Sequence, residues 1–344
     1  MPELRRDPVG GRWVIIATER AFRPQDYHLA RRTPKGGFCP FCEGNEDRTP
    51  PEILAYRAED TQPNGPGWKL RVVPNKYPAL QTEGETKERS WGVYQAMDGV
   101  GAHEVIIETP KHLTSPTEMP VEAFYDVVRC YRDRVLALKE DRRLAYALVF
   151  KNVGAVAGGS LEHTHSQLIS TPVVPKRVGE EMDRCMDFFL DEGRCLLCAI
   201  VEQSLADGEH VVINEEGFLA IAPYASRFPF EVWILPKQHA SHFEDSPLEM
   251  LEEFARVTHD VLLRLDGALN EPPYNYLLHT SPFTFDNLDH YHWHLEVIPR
   301  LTEVAGFEWG TGFHINPVVP ARAAEHLRAA LRQKLPAQTD PAPP

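Results

Sequence analysis

Residues 158–167 read Gly-Gly-Ser-Leu-Glu-His-Thr-His-Ser-Gln, and the apolar pair Leu168-Ile169 follows. Three polar side chains, His163, His165 and Gln167, stand at every second position. On an extended strand alternate side chains share a face, so these three project together. The glycines just before them let a ligand come close to the backbone. A polar strand edge with chance histidines is the bland alternative. Three chemically capable groups on one face favour a site for metal, phosphate or both.

The chain has 344 residues, 42% of them hydrophobic, which is enough for a core and long enough for two domains. A formal net charge of −14 disfavours a broad nucleic-acid or acidic-membrane surface. It still leaves room for a basic pocket around one phosphate group. No long apolar run reads as a membrane span, and Met1-Pro2-Glu3-Leu4-Arg5-Arg6 has no signal-peptide core, so a soluble cytoplasmic protein is expected. Four of the six cysteines form two Cys-x-x-Cys pairs, Cys39/Cys42 and Cys195/Cys198. In a reducing compartment such pairs suggest metal or redox chemistry more than disulfides.

The order of elements reads as α+β. Strands are predicted over residues 12–18, 70–73, 104–108 and 146–150. Between residues 120 and 139 the apolar side chains recur near helical spacing. The plan then returns. Glu231-Val232-Trp233-Ile234 mirrors Glu104-Val105-Ile106-Ile107, His239 mirrors His112, His290 mirrors His163 and Pro299 mirrors Pro172. Each pair is offset by 127 (231−104, 239−112, 290−163, 299−172). A constant offset points to a duplicated strand–helix–strand–strand unit. The expected division is an N-terminal half over 1–180, a C-terminal half over 181–334, and a flexible Pro-rich tail over 335–344. Ser246-Pro247-Leu248-Glu249 reads as a helix start with a capping box and Pro at the first helical position.

Each half offers two cysteines and two histidines: Cys39, Cys42, His112 and His163 in the first, and Cys195, Cys198, His239 and His290 in the second. Both sets have the composition of a closed tetrahedral zinc site. The histidines are 51 residues apart in both halves (163−112 and 290−239), so each site would clamp distant segments together. Redox-active cysteines and free buried thiols are the competing readings. Thiolate with imidazole favours zinc at both sites and leaves iron open at the second.

With His163 committed to metal, His165 is left free beside it. Neutral imidazole is a nucleophile and can form a covalent phosphoramidate. One ring nitrogen must then be held as a donor, so that the other presents its lone pair. A backbone carbonyl on the same loop could hold it. Gln167 can donate its amide hydrogens to a phosphoryl oxygen, and Gly158, Gly159 and Ser160 can supply backbone N–H groups.

These residues resemble galactose-1-phosphate uridylyltransferases of the histidine triad superfamily. The resemblance runs from about Asp7 to about Arg328. It rests on Arg12-Trp13-Val14-Ile15-Ile16-Ala17 with Arg20 and Arg23, Cys39-x-x-Cys42, Pro74-Asn75-Lys76-Tyr77, Pro110-Lys111-His112, Gly158-x-Ser160-x-x-His163-x-His165-x-Gln167 and His292-x-His294-x-Glu296. It implies two tandem histidine-triad-like halves, each an antiparallel sheet with packed helices, and a homodimer with active sites at the subunit boundary. It implies a ping-pong reaction in which His165 attacks the α-phosphorus of UDP-glucose, glucose 1-phosphate leaves, and the uridylyl group passes to galactose 1-phosphate. By the same match Gln167 steadies the intermediate, and Asn75, Lys76, Asn152, Gly158, Gly159 and Ser160 bind the nucleotide. Arg20 and Arg23 lie near sugar-phosphate oxygens, and Phe307 and Gly310 belong to the hexose-recognition stretch.

Two departures from the family's pattern stand out, and the second bears on the substrate. Thr164 stands where the family places proline. The stretch from Gly306 to Pro317 is closer to the branch that includes plant ADP-glucose phosphorylases, so an adenylyl transfer with phosphate as acceptor is the alternative reaction. A nucleotide hydrolase of the same superfamily would carry histidine where Gln167 stands. The second half reads His290-Tyr291-His292-Trp293-His294, but no Gly-Gly-Ser approach precedes it. It is therefore read as structural, with His294 and Glu296 linked to metal as in the family's second site. A non-catalytic zinc-stabilised nucleotide sensor is the rival from another class, and it has no use for a free His165.

Overall fold

A computed structural model describes residues 1–20 and 36–330. Arg23 and the 335–344 tail lie outside the described residues, as does the side chain of Arg20. The strands β1 (Glu3–Arg6) and β2 (Trp13–Ile16) open the chain. Then come β3 (Leu54–Arg57), β4 (Trp68–Pro74), the hairpin β5 (Arg89–Trp91) and β6 (Tyr94–Ala96), and β7 (Ala102–Ile107). Helix α1 (Val121–Lys139) leads to β8 (Tyr146–Val153) and β9 (His165–Thr171). Helices α2 (Lys176–Glu192) and α3 (Leu196–Asp207) connect to the second half. That half contains β10 (Val211–Asn214), β11 (Phe218–Ile221), β12 (Val232–Pro236), α4 (Leu248–Leu269), β13 (Tyr274–His279) and β14 (His294–Pro299). The chain continues through α5 (Gly306–Thr311), β15 (His314–Asn316) and α6 (Pro320–Ala329).

The strands predicted from the sequence fall in β2, β4, β7 and β8, and the predicted helix is α1. The expected capping box at Ser246 does not form. The Pro247 carbonyl accepts the first helical bond, from Leu251 N at 3.1 Å. Pro247 therefore occupies the cap position, and Ser246 lies one residue too early to reach the first turn.

Ten strands form one antiparallel sheet in the order β10-β11-β12-β14-β13-β8-β9-β7-β4-β3. The order is symmetric about the β13–β8 pair. Reading outward, β8, β9, β7, β4 and β3 match β13, β14, β12, β11 and β10. The duplication is thus a pseudo-twofold repeat joined edge to edge, Tyr274 facing Val153 and Leu278 facing Val149. Joining the halves this way covers two strand edges that would otherwise present unpaired backbone groups. Strands β1, β2 and β15 form a separate small sheet, with β15 parallel to β2.

Helices α1 and α4 pack against each other on one face of the large sheet. One continuous core runs through both halves there, from Ile106, Phe124, Val128 and Leu168 to Ile234, Phe254, Leu262 and Leu295. Alternation along β9 sends Ser166, Leu168 and Ser170 into this helix side, where all three are fully buried. His165 and Gln167 face the other way.

The helix side of β9 carries one polar group of exceptional density. Lys151 Nζ reaches both oxygens of Glu108 at 2.7 Å, and both side chains are buried. Thr164 Oγ1 donates to Glu108 at 2.6 Å and accepts from Lys151 at 2.9 Å. Lys151 also donates to the backbone carbonyl of His165 at 2.9 Å. Ser166 donates to Glu108, and its hydroxyl meets that of Tyr131 at 2.5 Å, which meets that of Tyr276 at 2.5 Å. Burial opposes the charge on Glu108, but Lys151 and the two hydroxyls outweigh it and hold the carboxyl below its usual range. The residues flanking His165 are thereby tied to a buried ion pair, with Tyr276 supplied by the second half. At the position of Thr164 the second half has Trp293, packed against Phe218, Phe243 and Phe254 at ring distances of 5.9, 5.2 and 5.1 Å.

Lys151→Met strands the Glu108 carboxylate in the core. It should cost about 3–5 kcal/mol of folding free energy, read by chemical denaturation. Adding Glu108→Leu should recover most of that loss. A single variant with the wild-type midpoint would contradict this account of the network.

Candidate active site and metal centres

The first Cys-x-x-Cys turn brings Cys39 and Cys42 against His112 and His163. Cys39 Sγ lies 3.5 Å from His163 Nδ1, and Cys42 Sγ lies 3.6 Å from it and 3.4 Å from His112 Nδ1. Two ligands bonded to one tetrahedral ion at about 2.3 Å (sulfur) and about 2.05 Å (nitrogen) stand about 3.5 Å apart. The four residues therefore fit a tetrahedral metal ion. The outer nitrogen of His163, Nε2, donates to the Thr109 carbonyl at 2.8 Å, which leaves Nδ1 as the lone-pair nitrogen facing the sulfurs. Burial pushes the His163 ring down to about 4, so it is neutral and able to ligate.

The second cluster consists of Cys195, Cys198, His239 and His292. Cys198 Sγ is 3.4 Å from Nδ1 of both histidines, and His239 Nε2 donates to the Leu288 carbonyl at 2.9 Å. This corrects the expectation for His290, which stands outside the group. The helices of the two halves do start 127 residues apart (248−121), but β14 starts 129 residues after β9 (294−165). Two residues were added between helix and strand, so the structural counterpart of His163 is His292. The match of Pro172 with Pro299 is likewise fortuitous, since Pro172 follows β9 and Pro299 lies inside β14.

His165 is buried and held at one end. Its Nδ1 donates to the backbone carbonyl of His163 at 2.7 Å, so Nε2 carries the free lone pair. Burial lowers its pKa below the ordinary histidine value, against the pull of that carbonyl, and keeps the ring neutral. The Phe41 ring meets it edge-on at 5.3 Å.

Gln167 is oriented by a residue that the sequence reading passed over, His103. The backbone N–H of Ala79 donates to His103 Nδ1 at 3.1 Å, so the proton sits on Nε2. Nε2 then donates to Gln167 Oε1 at 2.8 Å. The oxygen of the amide is thus occupied, and its N–H groups are left for an incoming acceptor. Asn75 Nδ2 lies 3.5 Å from the same oxygen. Alternation of His103, Val105 and Ile107 along β7 was a partial signal. Only the strand register, which sets Val105 opposite Gln167, puts His103 in reach.

Gly158 and Gly159 act differently from expectation. Their N–H groups donate to Ala155 and Gly154 within the loop, at 3.0 Å each, and cannot serve as the phosphate donors predicted. Their role is room. A Cβ on Gly159 would lie 3.0 Å from the carbonyl oxygens of Asn152 and Gly154, and Gly158 has φ +88°. Asn275, a second residue missed, donates to Asn152 Oδ1 at 2.7 Å and to the Ala157 carbonyl at 2.8 Å, so β13 of the second half pins the glycine loop of the first. Lys76 is exposed beside Asn75. Phe307 and Gly310 are exposed on α5, between β14 and β15 in the chain.

In the second half the counterparts of His165 and Gln167 are His294 and Glu296. His294 repeats the backbone contact, Nδ1 to the His292 carbonyl at 3.2 Å, but is fully buried and stacked on His279 at 4.6 Å. Glu296 is held by Arg227 at 2.7 Å and Arg177 at 3.0 Å. A carboxylate here cannot donate to a phosphoryl oxygen. Glu181, His279 and His294 gather closely enough to hold an ion, and Glu296 lies outside that trio.

Replacing His292 with Ala should lower the metal content of the purified protein by one ion per chain, measured by elemental analysis. His290→Ala should leave it unchanged. The opposite pattern would return His290 to the ligand set.

The chain matches the family model of the galactose-1-phosphate uridyl transferase N-terminal domain over residues 1–175, and that of the C-terminal domain over residues 181–333. It is 40% identical to an ADP-glucose phosphorylase from Arabidopsis thaliana over 335 residues, spanning 95% of this chain and 92% of that one. It is 30% identical to a galactose-1-phosphate uridylyltransferase from Thermotoga maritima over 340 residues, spanning 95% and 98%. The crystal structure of the Arabidopsis thaliana ADP-glucose phosphorylase with bound ADP-glucose superposes with a TM-score of 0.81 at 38% identity, covering 96% of this chain and 99% of that one. With both halves matched along their length, the chain is an enzyme of the nucleotidyltransferase class and belongs to the galactose-1-phosphate uridylyltransferase family.

Proposed function

We propose that this enzyme moves a nucleotidyl group from a nucleoside diphosphate sugar to a phosphate-bearing acceptor through a covalent adduct on His165. The observation that carries this reading is the 2.7 Å bond from His165 Nδ1 to the His163 carbonyl, which leaves Nε2 unprotonated and aimed away from the loop. In the first step the Nε2 lone pair forms a bond to the α-phosphorus, and the bond from that phosphorus to the bridging oxygen breaks. Sugar 1-phosphate leaves with the electron pair. In the second step an acceptor phosphate oxygen attacks the same phosphorus, and the P–N bond returns its electrons to Nε2. Gln167 donates to a non-bridging oxygen in both steps, held in place by His103. A glutamine cannot pass a proton to water as a third histidine could, which favours a lasting adduct over hydrolysis.

ADP-glucose is the donor we favour, with inorganic phosphate as acceptor. The relative named as an ADP-glucose phosphorylase is the more similar of the two above, at 40% against 30% identity. UDP-glucose with galactose 1-phosphate is the second reading, supported by the two family models. We assign Zn2+ to both Cys2His2 clusters on the strength of their donor set and spacing. Its part is to hold the Cys turns to the strands, and the nucleotidyl transfer uses this chain's own side chains. The two halves act as N- and C-terminal domains, the second a scaffold for the first. Exposed aromatic side chains at Tyr77, Phe307 and Trp309 support a homodimer in which α5 of one copy serves the other's site.

One product assay tests the reading. ADP-glucose and UDP-glucose are each offered with phosphate, galactose 1-phosphate or water as acceptor. ADP-glucose with phosphate should turn over fastest, donor alone should leave an acid-labile nucleotide on the protein, and His165→Ala should lower turnover by at least about 10⁴-fold and abolish the label. Release to water as the dominant reaction, or full activity in His165→Ala, would overturn it.

A further inference from the structure

A cavity of about 380 Å³ opens on the same face of the sheet as His165, but in the other half. Helix α3, the ends of β11 and β12 and the loop after β1 enclose it. Ile200, Ile221, Pro223 and Trp233 form its apolar walls, and the half-exposed Tyr224 ring stands at its rim. Asp7, Asp207 and Glu209 also line it; among the described residues no lysine or arginine does, and the nearest cation at the rim is Arg5, packed on Tyr224. His210 is buried in its wall, and its Nε2 has no hydrogen-bond partner among the described residues.

Internal symmetry fixes what the cavity corresponds to. In the catalytic half Val73 and Val105 are register partners, packed in one cluster with Cys39. In the second half Ile221 and Trp233 are register partners, packed in one cluster with Cys195. Asn75 stands two residues beyond Val73, beside Gln167, and Pro223 stands two residues beyond Ile221. The cavity thus occupies the place in its half that the stretch around Val73 and Asn75 occupies next to the nucleophile. What has changed is the phosphate end, where Gln167 is answered by Glu296, closed off by Arg227 and Arg177.

We infer that this cavity is a second nucleoside site, which takes the base and sugar of an uncharged nucleoside and rejects phosphate. The choice of a nucleoside rests on the nucleotide reading of the catalytic half proposed above. The volume lies in the range of small-ligand pockets. Trp233 offers a flat surface to a base, as does the face of Tyr224 opposite the Arg5 guanidinium, which stands 4.4 Å from that ring's centre, and His210 Nε2 offers a hydrogen bond to a ring nitrogen or hydroxyl. Asp207 and Glu209 can accept from amino and hydroxyl groups and repel a phosphate, whereas Asp7 is already held by the Val9 N–H at 3.0 Å and by Arg12 at 3.6 Å.

Equilibrium dialysis of the full chain with adenosine and with uridine, each in the presence of saturating ADP, tests this. One nucleoside should bind per chain and remain bound under ADP. Ser204→Trp, which fills the cavity from α3, should weaken that binding at least about tenfold and leave nucleotidyl labelling of His165 intact. Tyr224→Ala, at the exposed rim, should weaken it as well and guards against a local distortion of α3. The inference fails if neither nucleoside binds, if ADP displaces it fully, or if both variants bind as the wild type does. Loss of His165 labelling in the wild type with nucleoside binding intact would count against the catalytic reading and leave this site standing.

Discussion

One short hydrogen bond, from Nδ1 of His165 to the carbonyl of His163 at 2.7 Å, fixes the chemistry open to the first half. It selects the tautomer, and so decides which nitrogen carries the free lone pair. The bond holds because His163 is fixed twice over. Its ring is clamped between the Cys39/Cys42 turn and the Thr109 carbonyl. The backbone after it is tied from below, where Lys151 takes the His165 carbonyl and Glu108 takes the hydroxyls of Thr164 and Ser166. The Cys2His2 cluster and the buried ion pair therefore act on the same three residues from opposite faces of the sheet. This is how a strand end, ordinarily a place of fraying, becomes rigid enough to hold one imidazole in a fixed orientation.

The second half contributes without repeating the chemistry. Tyr276 completes the polar group under β9, and Asn275 holds the glycine loop. Its own His294 keeps the backbone contact but is sealed behind His279, and Glu296 has lost the donor capacity of Gln167. Where Thr164 joins the ion pair, Trp293 fills an aromatic core. The duplication has thus diverged residue by residue, with polar support retained on one side and hydrophobic packing on the other. Both halves keep the Cys2His2 clamp, because each needs its Cys turn attached to the sheet.

Much of this was legible in the chain. The alternation of His163, His165 and Gln167 announces one strand face, and the Cys-x-x-Cys pairs with distant histidines announce two clamps. The structure brings the first four, Cys39, Cys42, His112 and His163, together. The second was missed by one histidine, because a constant offset assumes no insertion, and two residues entered between α4 and β14. His103 and Asn275 left little local mark, since their importance comes from register across strands far apart in sequence. The merger of both halves into one ten-stranded sheet was invisible for the same reason. Thr164, which stands where the family places proline, is a working member of the ion-pair group. A side chain's partners on the buried side of a strand cannot be inferred from its neighbours in sequence.

The most direct test of the nucleophile is the bond it forms. Protein labelled with ¹⁵N in its histidine rings, charged with ADP-glucose and examined by ¹⁵N and ³¹P NMR, reports which nitrogen carries phosphorus. The account predicts a single phosphoramidate at Nε2 of His165, with Nδ1 still protonated and bonded to the His163 carbonyl. Phosphorus on Nδ1, or on any other side chain, would contradict it.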